Sequence, residues 1–193
     1  MRLDMLEIGK SDVLAGAPNG RAALTRLLER VAKEPASTEP VFLDFKDIAV
    51  VTSSYLRECV IGFRNAIRGR DSLYYPVVAN PNDEVRDELL DLARSGGDVV
   101  MTCALAKDGT ISEAALTGDL EAKQLLTFQL VQKHGETDAG ALMREYGEAE
   151  KVQHATAWNN RLSALSRLGL IVEIRQGRLK RYRPLFQGVS DGR

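Results

Sequence analysis

The most constraining feature of this sequence is an apolar stripe near its C-terminal end. Trp158, Leu162, Leu165 and Leu168 recur at spacings of three and four residues, which predicts a helix with one buried face. Gly169 is expected to end this helix. This apolar face is buried only if neighbouring elements of the fold cover it.

The segments around that helix predict those neighbours. Helices are expected at residues 119–134 and 137–146, and two short strands at residues 170–175 and 179–184. The strands flank Gln176-Gly177-Arg178, whose glycine favours a tight turn. Three helices followed by a two-stranded hairpin predict a small α+β domain over residues 119–187, with 188–193 as a flexible tail.

Residues 1–118 show a different pattern, in which strands alternate with helices. Strands are predicted at residues 1–8, 41–45, 73–79 and 99–105, and helices at 21–33, 53–68 and 82–94. The Asp108-Gly109 pair favours a hairpin, so residues 110–116 are expected to return antiparallel. The pattern predicts an α/β domain with a mixed sheet and helices over residues 1–118.

Charge is divided unevenly between the two predicted domains. Residues 1–118 carry 14 Lys and Arg against 18 Asp and Glu, whereas residues 119–193 carry 12 against 9. Between Arg161 and Arg183 there are seven basic residues and a single acid, Glu173. The asymmetry indicates that the second domain has an anionic partner.

Residues 156–171, TAWNNRLSALSRLGLI, resemble the recognition helix of bacterial winged-helix regulators, and the basic hairpin that follows resembles their wing. The resemblance implies a winged helix-turn-helix that binds double-stranded DNA. The spacing of the stripe agrees with it, because burial of Trp158 and Leu162 turns Thr156, Asn159, Asn160 and Ser163 outward, with Arg161 beside them.

These residues divide by chemistry into two groups. Short polar side chains such as asparagine can read base edges in a major groove. The hairpin cations Arg178, Lys180 and Arg181 suit phosphate or minor-groove contact. The alternative is a winged helix that contacts only protein, with the hairpin cations in solvent.

Residues 43–56, LDFKDIAVVTSSYL, resemble the strand, loop and helix of STAS domains, the fold of anti-sigma-factor antagonists. In that family a partner ATPase kinase phosphorylates the first serine of the motif, which implies Ser53 here, with Ser54 next to it. Thr52 and Tyr55 depart from the family's Asp and Gly. From the residues alone, Thr52 or Ser53 is expected to cap the helix, and the same helix start can receive a phosphate, a ligand or a protein partner.

No catalytic residue, metal site or cofactor site is expected. His134 is assigned to a helix end, and His154, near the start of the recognition helix, to the surface or to a phosphate contact. Glu150 with His154 lacks a third candidate metal ligand. Phosphate-binding glycine loops are absent from the sequence. We therefore expect a protein that is not an enzyme.

The cysteines and the apolar segments of the sequence bear on where the protein is located and how it assembles. Cys59 and Cys103 lie in apolar segments and are expected to be buried thiols, and neither a signal peptide nor a membrane helix is evident. These features predict a cytoplasmic protein with no membrane partner. The leucine-rich helix at residues 119–134 favours a homodimer.

Two functions are favoured, ahead of a third, an enzyme of unrecognised type in the α/β domain. The first is a transcriptional regulator with a STAS-like regulatory domain and a winged-helix domain. The alternative is a protein-interaction adaptor of the anti-sigma-antagonist type, controlled by a partner kinase and without DNA binding.

Overall fold

The computed structural model describes residues 1–177 and 179–192. The chain forms two compact units, of which one comprises Met1–Asp119 with the segment that begins at Val189, and the other comprises Leu120–Gly188. The chain therefore leaves the first unit, forms the second and returns to the first. Among the described residues, no helix is both long and apolar enough to cross a lipid bilayer.

The first unit is a mixed α/β fold with a mixed sheet. Its strands are β1 (Arg2–Asp4), β2 (Val13–Leu14), β3 (Glu39–Asp44), β4 (Val50–Val51), β5 (Tyr74–Ala79), β6 (Val100–Leu105) and β7 (Ile111–Thr117), with β10 (Ser190–Gly192) from the returning segment. Its helices are α1 (Met5–Gly9), α2 (Ala17–Arg30), α3 (Ser53–Leu56), α4 (Gly62–Gly69) and α5 (Asp83–Gly96).

Six strands form the main sheet in the order β1-β3-β5-β6-β7-β10. All neighbours in it are parallel except β6 and β7, which are antiparallel. The fully buried strand β5 explains why residues 74–79 are almost continuously apolar. The hairpin between β6 and β7 turns at Asp108-Gly109, where Gly109 has φ 87°, as the sequence predicts.

Besides the short strands β2 and β4, which the sequence did not predict, and the earlier start of α2, three local features of this unit differ from the sequence predictions. The strand predicted over residues 1–8 ends at Asp4, because the Asp4 side chain caps α1 by accepting from the Leu6 amide at 2.8 Å. The predicted helix over 53–68 contains a π-helical turn, Arg57–Ile61, between α3 and α4. The predicted tail over 188–193 contains strand β10, whose backbone pairs in parallel with β7.

The second unit contains three helices and a two-stranded antiparallel hairpin. The elements are α6 (Ala122–His134), α7 (Ala139–Tyr146), α8 (Ala155–Arg167), β8 (Ile171–Gln176) and β9 (Leu179–Pro184). Their order matches the sequence prediction, with helix ends shifted by a few residues. A small core holds them together, in which the largest buried side chains are Trp158, Phe128 and Tyr182.

Candidate nucleic-acid interface

Helix α8 presents an outer face without negative charge. Its sequence, ATAWNNRLSALSR, contains no acidic residue. Thr156, Asn159 and Asn160 are exposed, while Trp158 and Leu162 are fully buried beneath them. The structure therefore brings three of the sequence-predicted contact residues to one accessible, hydrogen-bonding surface.

Arg161 lies apart from that surface. Its guanidinium lies over the Trp158 ring at 4.7 Å and pairs with Glu150 at 3.3 Å, and its side chain is only 11% exposed. These contacts cover the tryptophan and link α8 to the segment before it. Arg161 is therefore a packing residue in this structure and does not lie on the outer face.

Ser163 begins a polar chain from α8 to the hairpin. Its hydroxyl lies 3.4 Å from the Tyr182 hydroxyl, and Tyr182 donates to a Glu173 carboxylate oxygen at 3.3 Å. Burial raises the pKa of Tyr182, which keeps its hydroxyl a donor at neutral pH. Ser163 of α8 is thus linked through the buried Tyr182 to Glu173 on one face of the β8–β9 hairpin.

Two cations lie on that same hairpin face. Glu173 is opposite Tyr182 in the ladder, and Arg175 is opposite Lys180, so all four side chains share one side of the hairpin. The Arg175 Nε donates to Glu173 at 2.7 Å, and Lys180 Nζ lies 3.0 Å from the same carboxylate. The three ionic groups form what we call the hairpin cluster, with a net charge of +1.

The acid of the hairpin cluster is held in its ionised form. Burial by itself raises the pKa of Glu173, but the hydrogen bonds and charges of Arg175 and Lys180 outweigh burial, and the pKa lies below its usual value. Arg175 and Lys180 remain 57% and 41% exposed while they are so paired. Both side chains therefore keep solvent-accessible surface.

The other hairpin residues predicted as DNA contacts are placed differently. Arg181 lies on the opposite face of β9 from Lys180 and pairs with Glu136 at 2.9 Å. Arg178 lies outside the described residues. The exposed Leu179 shares the Arg181 side of the strand.

Sequence reasoning missed two residues at this surface. Arg175 belongs to the hairpin cluster, and Arg167 is exposed in the last turn of α8. The hairpin pattern contained the signal for Arg175, because pairing of the two strands around the turn sets residue 175 opposite Lys180, on the same face. Arg167 lies seven and eight residues after Asn160 and Asn159, close to two helical turns away.

Ser53 occupies the start of a helix in the first unit, and that start already holds a carboxylate. Thr52 is the cap, with its hydroxyl accepting from the Tyr55 amide at 3.4 Å and lying 3.2 Å from the Ser54 hydroxyl. Both the amide and the hydroxyl of Ser53 donate to one oxygen of Glu88, from α5. Ser53 and Ser54 are half-buried, so an incoming phosphate or partner must first displace Glu88.

The described residues contain no group of three or more His, Cys, Asp and Glu side chains placed to hold a metal ion. His134 Nε2 lies 3.0 Å from the Tyr146 hydroxyl at the end of α6, and His154 precedes α8.

Cys59 and Cys103 are both buried. Burial raises the pKa of the Cys59 thiol to about 12 and, with a further contribution from Asp44, that of Cys103 to about 11, so both thiols are protonated at neutral pH.

Comparison with known proteins assigns the chain to no group, since no family model, no curated protein and no solved structure matches it.

Proposed function

We propose that the chain is a DNA-binding transcriptional regulator whose second unit is a winged helix-turn-helix. The observation that carries the proposal is the exposed, acid-free face of α8 in a unit whose hairpin cluster presents two exposed cations and is linked to α8 through Tyr182 and Ser163. Base edges are read by short hydrogen-bonding side chains, and phosphates by cations beside them.

The roles follow from exposure. Asn159 and Asn160, with Thr156 at the helix start, supply base contacts in the major groove. Arg175 and Lys180 bind phosphate. Ser163 positions the hairpin against the helix through Tyr182, at 3.4 Å, and Arg161 supports Trp158.

The first unit is proposed as a STAS-like regulatory domain. Ser53 at the start of α3 is the position at which phosphorylation by an ATPase-type kinase, or binding of another protein partner, would act. Because the Glu88 carboxylate accepts both Ser53 donors, a phosphate there would expel Glu88 by like-charge repulsion. Such an event would therefore alter the contact between α3 and α5.

A homodimer is proposed on the surface of α6. Leu125 and Leu126 remain partly exposed on this helix, whereas Phe128 and Leu130 are buried. Two copies would present two α8 helices to a two-fold DNA site. Analytical ultracentrifugation with and without duplex DNA tests this, and a monomer under both conditions would exclude it.

The direct test of the function is binding to duplex DNA of mixed sequence. Fluorescence anisotropy with a labelled duplex of about 20–30 base pairs, repeated at several salt concentrations, should show affinity that falls steeply with salt. An unlabelled poly-glutamate competitor controls for binding to any polyanion. Absence of duplex binding by the folded protein at low salt would reject the proposal.

One observation favours the alternative, a protein-interaction adaptor without DNA binding. Lys180, Arg181 and Arg161 each already pair with a carboxylate, Glu173, Glu136 and Glu150 respectively. Cations that are already paired with carboxylates suit contact with a protein surface that carries charges of both signs. The same anisotropy experiment separates the two functions, because an adaptor would leave the duplex unbound at every salt concentration.

A further inference from the structure

A pocket of about 670 Å³ opens in the first unit between α5 and strands β6 and β7. Its floor is made of small side chains on the two antiparallel strands, Thr102 and Ala104 on β6 and Ala115 and Thr117 on β7. Leucines or valines at these four positions would fill the space. The volume lies within the range of pockets that bind small molecules in proteins.

Four charged side chains line the pocket, two of each sign. Lys46 follows β3, Arg86 and Asp87 lie on α5, and Glu113 lies on β7. In the part of the chain that the structure describes, none of the four makes a side-chain hydrogen bond or an ion pair. The pocket therefore offers both cationic and anionic partners that are not engaged with each other.

The position of Glu113 depends on an irregularity of the sheet. The register between β6 and β7 shifts between Thr102 and Ala104, so that Glu113 and Ala114 together face Cys103. Glu113 takes φ 51°, a left-handed conformation that a side chain adopts at a cost of about 1 kcal/mol or more. Such bulges redirect side chains at binding sites, and this one sets a carboxylate at the pocket.

The returning strand contributes the remaining wall. Ser190 of β10 lines the pocket, and its hydroxyl lies 3.4 Å from the Ala114 carbonyl oxygen beside Glu113. A molecule in the pocket would thus contact the strand by which the chain rejoins the sheet after the second unit. Occupancy is expected to stabilise β10 against β7.

We propose that this pocket binds a small zwitterion of the free amino-acid or short-peptide class. Its carboxylate pairs with Arg86 and Lys46, and its ammonium pairs with Glu113 and Asp87. A ligand that carries charge of only one sign would lie beside two pocket side chains of that same sign, and their repulsion would disfavour binding. The inference concerns the first unit and stands apart from the proposed binding of DNA.

The test is isothermal titration calorimetry on the full chain. The probes are the individual L-amino acids and the dipeptide alanyl-alanine, with succinate as an anionic control and putrescine as a cationic control. At least one zwitterion should bind with a Kd of about 1 mM or tighter, while both controls should not. Arg86→Gln and Glu113→Gln should each weaken that binding at least about tenfold.

Matched variants and a second readout complete the design. Arg57→Gln and Glu7→Gln remove exposed charges elsewhere in the unit and should leave the affinity unchanged. Hydrogen exchange of β10 and β7 should slow when the zwitterion is present. Thermal unfolding of each variant shows that it is folded before binding is compared.

Three results would overturn the proposal. These are failure of every zwitterion to bind, binding of succinate or putrescine as tight as that of any zwitterion, and unchanged affinity in both folded pocket variants. None of them bears on duplex binding by the second unit.

Discussion

Glu173 gives the sharpest test of how the hairpin works. Its carboxylate is 13% exposed, holds Arg175 at 2.7 Å and Lys180 at 3.0 Å, and accepts the Tyr182 hydroxyl at 3.3 Å. Glu173→Gln removes the negative charge and keeps an oxygen acceptor for Tyr182. The substitution should therefore weaken the fold slightly and strengthen DNA binding.

The two magnitudes follow from the geometry. Ion pairs with largely exposed cations contribute about 0.2–1 kcal/mol each, so loss of both should lower the free energy of unfolding by about 1 kcal/mol. The hairpin cluster rises from a net charge of +1 to +2, equivalent to about one further phosphate contact. The salt slope should steepen by about 0.9, which is about a three- to fourfold additional gain in affinity when salt falls fourfold.

The assays are urea unfolding and anisotropy with duplex DNA across a salt series. Glu136→Gln is the matched control, because Glu136 pairs with Arg181 on the opposite hairpin face. It should leave the salt slope unchanged. If Glu173→Gln binds DNA no more tightly than wild type, or if both variants gain equally, the assignment of the Arg175 and Lys180 face to DNA is refuted.

Three further predictions concern single positions. Asn160→Ala should weaken binding to a selected cognate duplex by about 1–3 kcal/mol and binding to mixed duplex much less, as compared by competition; equal losses would argue against base contact. Trp158→Ala should lower the free energy of unfolding by about 3–5 kcal/mol in urea titrations, since the side chain is fully buried, and a loss below 1 kcal/mol would contradict that burial. Ser53→Asp should destabilise the first unit by about 1–3 kcal/mol, because the new carboxylate meets Glu88, and Glu88→Gln should recover part of the loss; a Ser53→Asp variant as stable as wild type would show that Glu88 does not hold this site.

The Ser53 prediction shows what the sequence could and could not supply. Thr52-Ser53-Ser54 before an amphipathic segment predicts a capped helix start, and from that alone an acid at Ser53 should be mildly favourable. The structure leads to the opposite expectation, because the carboxylate of Glu88, from a helix 35 residues later in the chain, already accepts from Ser53. Local pattern identifies the helix start, but only the fold shows that it is occupied.

In the second unit, too, local patterns predict the helices and strands but not the contacts between them. The apolar stripe of α8 and the Gly177 turn predict both the helix and the hairpin, since each is a local pattern. Packing between elements determines the ion pairs Arg181–Glu136 and Arg161–Glu150. Residue spacing within one element does not predict them. Strand β10 was missed for a similar reason, because three residues with no apolar pattern form a strand only by pairing with β7.

The most direct measurement of the central claim is the salt dependence of duplex binding by wild type and by the Arg175→Ala/Lys180→Ala double variant. Wild type should show an affinity that falls linearly with salt on logarithmic axes, and the double variant a slope smaller in magnitude by about two, one for each lost phosphate contact. Circular dichroism should show both proteins folded. A folded wild-type protein whose affinity for duplex DNA is absent or independent of salt would contradict the account.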